Sequence, residues 1–305
     1  MSSQCNYARL LKSEPNSIFK SEPHSLLVMH TVNEMTNVLY DLKLTCPTCK
    51  SNSIKLGTLD EDVRCSNCGS VFPVSQGFLD LLPGEESPGM ISGSNPMKWG
   101  WVAIIYNSRL WRKGRLLGTM FGISFGKEFK IITDAMDISG DETILDLACG
   151  PGTYSIPLAE KLDRGFVIGI DLSLPMLKSA SKQARKKEQK NVQFIHANVD
   201  NLPFLDDEFN NINCCGALHL FSDFLPDLLI NIRRMLKTNG RFTVAAALAP
   251  KGKIGKKLAA RETRNGGLEY FTVDSLTAYL EESGFVDVKC HHAKRYWLIM
   301  SALNQ

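Results

Sequence analysis

Four cysteines mark the first place where this chain could do chemistry. Cys46-Pro47-Thr48-Cys49 and Cys65-Ser66-Asn67-Cys68 are two C-x2-C pairs with fifteen residues between them. Each pair reads as a knuckle whose tight turn aims backbone N–H groups at two sulfurs, and two knuckles together present four thiolates to one Zn2+. A metal with four sulfur ligands keeps no open position for water, so such a site staples a small fold and does not activate a nucleophile. Gly69, directly after the second pair, relaxes its turn. The competing reading, two redox-active dithiols, needs a thioredoxin-like strand–helix–strand context, which the short and turn-rich segment 46–82 does not supply. That segment carries Lys50, Lys55 and Arg64 against Asp60, Glu61, Asp62 and Asp80, a net charge of −1 that does not describe a phosphate-binding module.

A second concentration of chemistry lies near the middle of the chain. Ile144-Leu145-Asp146-Leu147 reads as a buried strand running into Ala148-Cys149-Gly150-Pro151-Gly152-Thr153 and then into a helix. Glycines 150 and 152 let backbone approach a ligand at the carboxyl edge of that strand. The dinucleotide fingerprint is not met, because Ser155 stands at its third glycine position, and the carboxylate of Asp146 would repel a diphosphate and suit a cationic ligand. Twenty-five residues after Asp146, the run Val167-Ile168-Gly169-Ile170 ends in Asp171, a carboxylate able to accept hydrogen bonds from ribose hydroxyls. A third run ends in His196-Ala197-Asn198-Val199-Asp200, followed by Asn201-Leu202-Pro203-Phe204.

In these residues the chain resembles the class I S-adenosylmethionine (SAM) methyltransferases, especially the large group with D-x-x-C-G-x-G, an acid ending the second strand and an L-P-F segment. The resemblance covers about residues 141–305 and implies an α/β fold: a seven-stranded Rossmann-like sheet with the seventh strand antiparallel. It implies SAM as cofactor, with Asp146, Ala148, Gly150 and Gly152 around the methionine moiety, Asp171 at the ribose and Asn198 at the adenine amine. Leu172, Val199 and Gly216 complete the implied cofactor-binding set. The family usually has Gly where this chain has Ala148, and Asp where it has Asn198.

Methyl transfer from a sulfonium is an in-line displacement with an already activated leaving group, so the protein contributes mainly orientation and exclusion of water. His219, in the Cys214-to-Asp223 stretch that lies against the sulfonium in this family, is the candidate base if the acceptor must lose a proton. The other reading of His219 is a loop histidine packed beside the cofactor; Tyr106, Tyr154 and Asp223 are further candidates. Cys149, Cys214 and Cys215 have no basic sequence neighbour to lower their pKa and read as small buried residues. The chain has no N-P-P-Y or D-P-P-Y motif, which argues against methylation of an adenine amine in nucleic acid.

Around these sites the pattern alternates short β-branched runs with longer amphipathic stretches, the signature of a parallel sheet with crossover helices. Strands are predicted over 143–147, 166–170, 192–196, 212–216, 241–246, 285–290 and 296–302, and helices over 154–162, 175–189, 224–236 and 273–283. The domain reading is an N-terminal extension (1–45), a zinc ribbon (46–82), a linker with aromatic and basic cap helices (83–140) and a methyltransferase domain (141–305). Residues 98–130 carry a net charge of +6, interleaved with Trp99, Trp101, Tyr106, Trp111, Phe121, Phe125 and Phe129. Such a segment suits an apolar or planar small molecule by its rings and RNA by its charge. A second basic stretch, Lys251 to Arg264, holds six Lys/Arg against Glu262 in the connection after the fifth strand, which in the family resembled is often a substrate lid.

With 305 residues, 44% hydrophobic, 22% charged and a net charge of +3, the chain is an ordinary globular protein, neither low-complexity nor disordered. No apolar run approaches the roughly 18 residues of a membrane span. Residues 1–45 lack the pattern of an export signal, and Glu14, Glu22 and Glu34 count against an organelle transit peptide, so a cytoplasmic location is expected. A ribbon ahead of such a domain, with Gly77-Phe78-Leu79-Asp80-Leu81-Leu82-Pro83, resembles the ribosomal-RNA guanine-N1 methyltransferase group. The stretches 217–223 and 236–240 instead resemble the small-molecule branch. The favoured expectation is a methyltransferase for a small, partly apolar metabolite; ribosomal RNA as the acceptor and a SAM-binding scaffold without turnover are the alternatives.

Overall fold

The computed structural model describes residues 42–55, 61–83, 118, 121–252, 257, 261 and 269–305. The extension up to residue 41, the linker and most of the aromatic and basic segment (including Tyr106), and most of Lys251–Arg264 lie outside the described residues.

Six short strands come first: β1 (Lys43–Leu44), β2 (Ile54–Lys55), β3 (Val63–Arg64), β4 (Val71–Phe72), β5 (Val74–Ser75) and β6 (Phe78–Asp80). β1 pairs antiparallel with β2, and β3 with β4, so each cysteine knuckle sits inside its own small hairpin. Helix α1 (Phe125–Met136) precedes β7 (Thr143–Leu147); α2 (Ser155–Ala159), β8 (Phe166–Asp171), α3 (Leu174–Lys186) and β9 (Val192–His196) follow. Then come β10 (Phe209–Cys215), α4 (Leu225–Met235), β11 (Leu236–Ala247), α5 (Val273–Glu282), β12 (Val286–Lys294) and β13 (Trp297–Leu303).

The large sheet has the order β12-β13-β11-β10-β7-β8-β9-β6-β5. β7 to β11 are parallel to their neighbours among themselves, and β13 runs antiparallel to both β11 and β12. The seven strands expected from the sequence are all present, but the sheet has nine. β6 joins it in parallel beside β9, with Leu79 opposite Ile195 and Asp80 opposite His196, and β5 pairs with β6. The segment bearing the cysteines therefore ends as part of the main sheet.

Central strands buried on both faces read as nearly continuous apolar runs, as in Thr143–Leu147, where every residue is buried and Asp146 is the one charged residue. Alternation along β7 and β8 sends Ile144 and Val167 to one face and Leu145 and Ile168 to the other. The first face is covered by α1, α2 and α3 through Ile132, Met136, Ile156, Leu158, Leu177 and Ala180. The second is covered by α4 and α5 through Leu228, Ile232, Leu276 and Leu280, and the same cluster takes in Leu44, Ile54, Phe72 and Leu79 of the cysteine segment. Fully buried side chains such as Leu44 and Phe204 each contribute roughly 1.5–3 kcal/mol from burial, so the cysteine segment is fastened to the domain by shared core. No helix among the described residues is long and apolar enough to cross a membrane.

The chain leaves β7 towards β8 and β9 on one side and reaches β10 on the other. That reversal opens a crevice beyond the carboxyl ends of β7 and β10, where ligands bind in sheets of this kind.

Candidate functional site

Asp146 sits one residue before the end of β7, fully inside the protein. Its Oδ2 accepts from Ser155 Oγ at 2.5 Å and its Oδ1 from Asn213 Nδ2 of β10 at 2.7 Å. Asn213 Oδ1 in turn accepts from Thr243 Oγ1 of β11 at 3.1 Å and from the Cys215 thiol at 3.0 Å. A buried polar ladder thus crosses three strands beneath the glycine loop. Burial pushes the Asp146 carboxyl up to about 6, the bonds from Ser155 and Asn213 pull against that, and the charge of Asp171 adds to it.

Above this ladder the backbone turns through left-handed conformations at Ala148, Gly150 and Gly152, with φ of 52°, 54° and 75°. Gly150 and Gly152 accept this at no steric cost; Ala148 bears a Cβ in a region that disfavours one. A Cβ placed on Gly150 would meet nothing within 4 Å, so the space over the loop is open. The loop is pinned from the neighbouring strand end by Asp171, whose Oδ2 accepts from Gly150 N at 2.8 Å and whose Oδ1 accepts from Ser173 N at 2.7 Å. Burial pushes the Asp171 carboxyl up, against the N–H groups of Ser173 and Gly150. Asp171 is half-buried, and each oxygen retains a second lone pair for a hydroxyl.

The other residues singled out in the sequence lie just beyond the carboxyl ends of β8, β9 and β10. Leu172 follows Asp171 and is buried; Val199 is buried, and Asn198, beside it, is half-buried with its Oδ1 3.5 Å from Asp200 N. Gly216 (φ 88°) directly follows β10 and donates its N–H to Ala245 O at 2.7 Å. His219 lies in a short 3-10 turn (Leu218–Leu220), buried, with its ring edge-on to Trp297 at 6.4 Å. Burial holds the thiols of Cys149 and Cys214 far above their ordinary pKa, which makes them packed thiols and not nucleophiles.

Three participants escaped the sequence reading. Ser155 and Asn213 fix the Asp146 carboxylate, and the available signal is the three amides, Asn210, Asn211 and Asn213, within the strand Phe209–Cys215. Glu128 of α1 is buried, accepting from Tyr154 Oη at 2.6 Å and from Trp297 Nε1 at 2.9 Å. It ties α1 to the loop after β7 and to β13, under an aromatic wall in which Phe121 stacks on Trp297 at 4.5 Å and Phe125 leans on Tyr154 at 5.5 Å.

In the cysteine segment, one ligand atom from each of Cys46, Cys49, Cys65 and Cys68 lies within 4.8 Å of the others. The Cys46–Cys68 and Cys49–Cys65 sulfur pairs are 3.8 Å and 3.7 Å apart. A tetrahedron with metal–sulfur bonds of about 2.3 Å has an edge of about 3.8 Å, so the cluster has the size of a Zn2+ site. The two knuckles are built alike. Lys50 N donates to Cys46 O and Gly69 N to Cys65 O, with φ of 58° at Lys50 and 76° at Gly69. Ser51 Oγ lies 2.9 Å from Cys49 Sγ, and Ser70 Oγ lies 3.2 Å from Cys68 Sγ. The first knuckle docks on the Leu202-Pro203-Phe204 segment, where Thr45 N donates to Pro203 O at 2.7 Å and Leu44 bridges to Phe204.

The strand-end carboxylates, the left-handed loop and the sheet order point the same way as the family comparison. Residues 144–240 match the methyltransferase domain family. The uncharacterized methyltransferase YcgJ of Bacillus subtilis (strain 168) is 29% identical over 129 residues, 42% of this chain and 50% of that protein. A demethylmenaquinone methyltransferase of Staphylococcus saprophyticus is likewise 29% identical over 129 residues, covering 42% of this chain and 54% of its own length. The chain thus spans about half the length of the curated relatives it matches. Among solved structures, a SAM dependent methyltransferase from Aquifex aeolicus aligns with a TM-score of 0.52 and 18% identity, over 70% of this chain and 100% of that one. The part of the chain that carries the large sheet is therefore a Rossmann-like α/β fold with a large mixed sheet, and the cysteine segment adds the short strands β5 and β6 to one edge.

Proposed function

We propose that the chain is a SAM-dependent methyltransferase for a small, partly apolar acceptor. The observation that carries this is the open left-handed loop at Ala148, Gly150 and Gly152, flanked by the carboxylates of Asp146 and Asp171 at adjacent strand ends. Such a site suits a ligand with a cationic centre and a ribose, and repels a diphosphate. In this reading Asp171 and Leu172 hold the ribose, Asn198 and Val199 the adenine, and Ala148, Gly150 and Gly152 the methionine backbone over Asp146. When bound, SAM supplies an activated methyl group. What the chain adds is orientation and exclusion of water: Gly216 leaves room at the end of β10, and the wall of Phe121, Phe125, Tyr154 and Trp297 excludes solvent on the α1 side. His219 is the residue able to take a proton from an oxygen or nitrogen acceptor.

The aromatic wall and the name of the demethylmenaquinone relative support a small apolar acceptor, and the net charge of −1 over 46–82 does not favour RNA on the ribbon. The four cysteines hold Zn2+ as a structural ion in this reading, consistent with their spacing. The test is calorimetric titration with SAM, then a tritiated-methyl assay on total RNA and on a small-molecule extract. Label in the extract alone supports the proposal; label in RNA replaces the acceptor with RNA; tight SAM binding with no product makes the domain a scaffold. Asp171→Ala should weaken SAM binding, and unchanged affinity would remove Asp171 from the ribose site.

A further inference from the structure

The parallel pairing of β6 with β9 brings a side chain from the cysteine segment to the strand that leads into Asn198. His196, at the end of β9, is fully buried. Its Nδ1 lies 2.7 Å from Asp80 Oδ1, and its Nε2 lies 3.1 Å from the carbonyl oxygen of Leu172. A carboxylate and a carbonyl can only accept, so both contacts are hydrogen bonds only when both ring nitrogens carry protons. Asp80 is fixed for this role: its N–H donates to Pro73 O at 2.9 Å and its Oδ1 also accepts from Leu82 N at 3.0 Å, while Leu81 N donates to His196 O at 3.1 Å. The charged groups facing the ring are Asp80 from β6 and Asp171 from β8, whose carboxylate is favoured by a positive charge on His196.

We propose that Asp80 and His196 are positioning residues for the cofactor site, a reading that rests on the SAM assignment above. Asp80 holds His196 as an imidazolium, and the imidazolium fixes the Leu172 carbonyl so that the Asp171-Leu172 turn meets the adenosine. Asp80→Asn keeps the shape and the Nδ1 partner but removes the charge. Leu82 N–H, which donates to the same Oδ1, keeps the amide oxygen of the variant towards the ring, so the neutral ring donates through Nδ1, turns the lone pair of Nε2 on the Leu172 carbonyl, and the turn shifts.

The experiment uses the full chain, with S-adenosylhomocysteine as the probe. Calorimetry on the wild type and on Asp80→Asn should show about a tenfold loss of affinity, equivalent to about 1.4 kcal/mol. Nitrogen-15 spectra of histidine-labelled wild type should show both ring nitrogens of His196 protonated at neutral pH, and the variant should show one. Equal affinity in the variant overturns the proposal while leaving the SAM assignment intact. A neutral His196 ring in the wild type overturns it whether or not the variant folds. A wild type that binds neither S-adenosylhomocysteine nor SAM overturns the cofactor assignment and this proposal together.

Discussion

Changing Asp146→Asn makes the cost of the buried carboxylate measurable. Asp146 is enclosed by protein, and its carboxyl rises from an ordinary 3.8 to about 6. The folded state therefore binds the proton more tightly than the unfolded state, and stability falls as pH rises between those two values. That difference corresponds to about 3 kcal/mol, all of it present once the group is ionised in both states. Asn is nearly isosteric: its oxygen accepts from Asn213, and its amide donates to Ser155 Oγ, whose proton turns away. Urea unfolding of wild type and variant, followed by tryptophan fluorescence across pH, isolates the term because all other titrations cancel in the difference. The variant should gain on the wild type by about 2 kcal/mol between pH 4.5 and 7.5, the part of the 3 kcal/mol that falls in that window. A stability difference that does not change with pH would refute the reasoning. So would one that shrinks as pH rises, because Asp146 would then be stabilised as an anion by its neighbours. In the proposed function the same variant weakens SAM binding, so stability and affinity move in opposite directions.

Other perturbations separate the parts of the site. Ala148→Gly should raise stability by about 0.5–1 kcal/mol, since a φ of 52° strains an alanine and not a glycine; a lower melting temperature would contradict this. Glu128→Ala takes a buried acceptor from Tyr154 Oη and Trp297 Nε1 and should cost about 2–4 kcal/mol in chemical denaturation; a loss below 1 kcal/mol would mean the buried carboxylate is not a fastening point. With the four cysteines holding Zn2+ as proposed, a chelator should lower the melting temperature of the whole chain in one transition, because Leu44, Ile54, Phe72 and Leu79 share a core with Ile168 and Phe204. A separate early transition confined to the cysteine segment would show that the shared core does not couple them.

Much of this architecture was legible in the sequence wherever a strand is buried on both faces. Thr143–Leu147 and Val192–His196 have the bounds expected, because each is a short run of mostly β-branched and apolar residues between polar breaks, and all of it is buried. β11 begins at Leu236 and not at Arg241, since Asn239 takes a left-handed bulge that reads as a turn although pairing continues across it. β10 begins at Phe209 because Asn210, which reads as a break, spends its side chain on the N–H of Thr143. The loop residues of the site were legible because glycines and strand-end acids are local signals. Asn213, Glu128 and the Asp80–His196 contact were not, since each acquires its meaning from a partner far along the chain, 116 residues away in the last case. β6 failed to register for the same reason: three residues carry no period, and their partner strand is supplied by the fold.

The seating of β6 against β9 has a consequence for how this molecule keeps to itself. An uncovered outer strand offers a row of unpaired N–H and C=O groups, which invites a second copy to add on and grow an aggregate. Val192–His196, buried along its whole length, would be such a template. Here the chain supplies its own blocking strand, made short by the turn at Gln76 and Gly77 and bounded by Asp80, so that addition stops after β5. A protein shortened to begin after this hairpin would retain the glycine loop and both strand-end acids, yet present a bare sheet edge and self-associate.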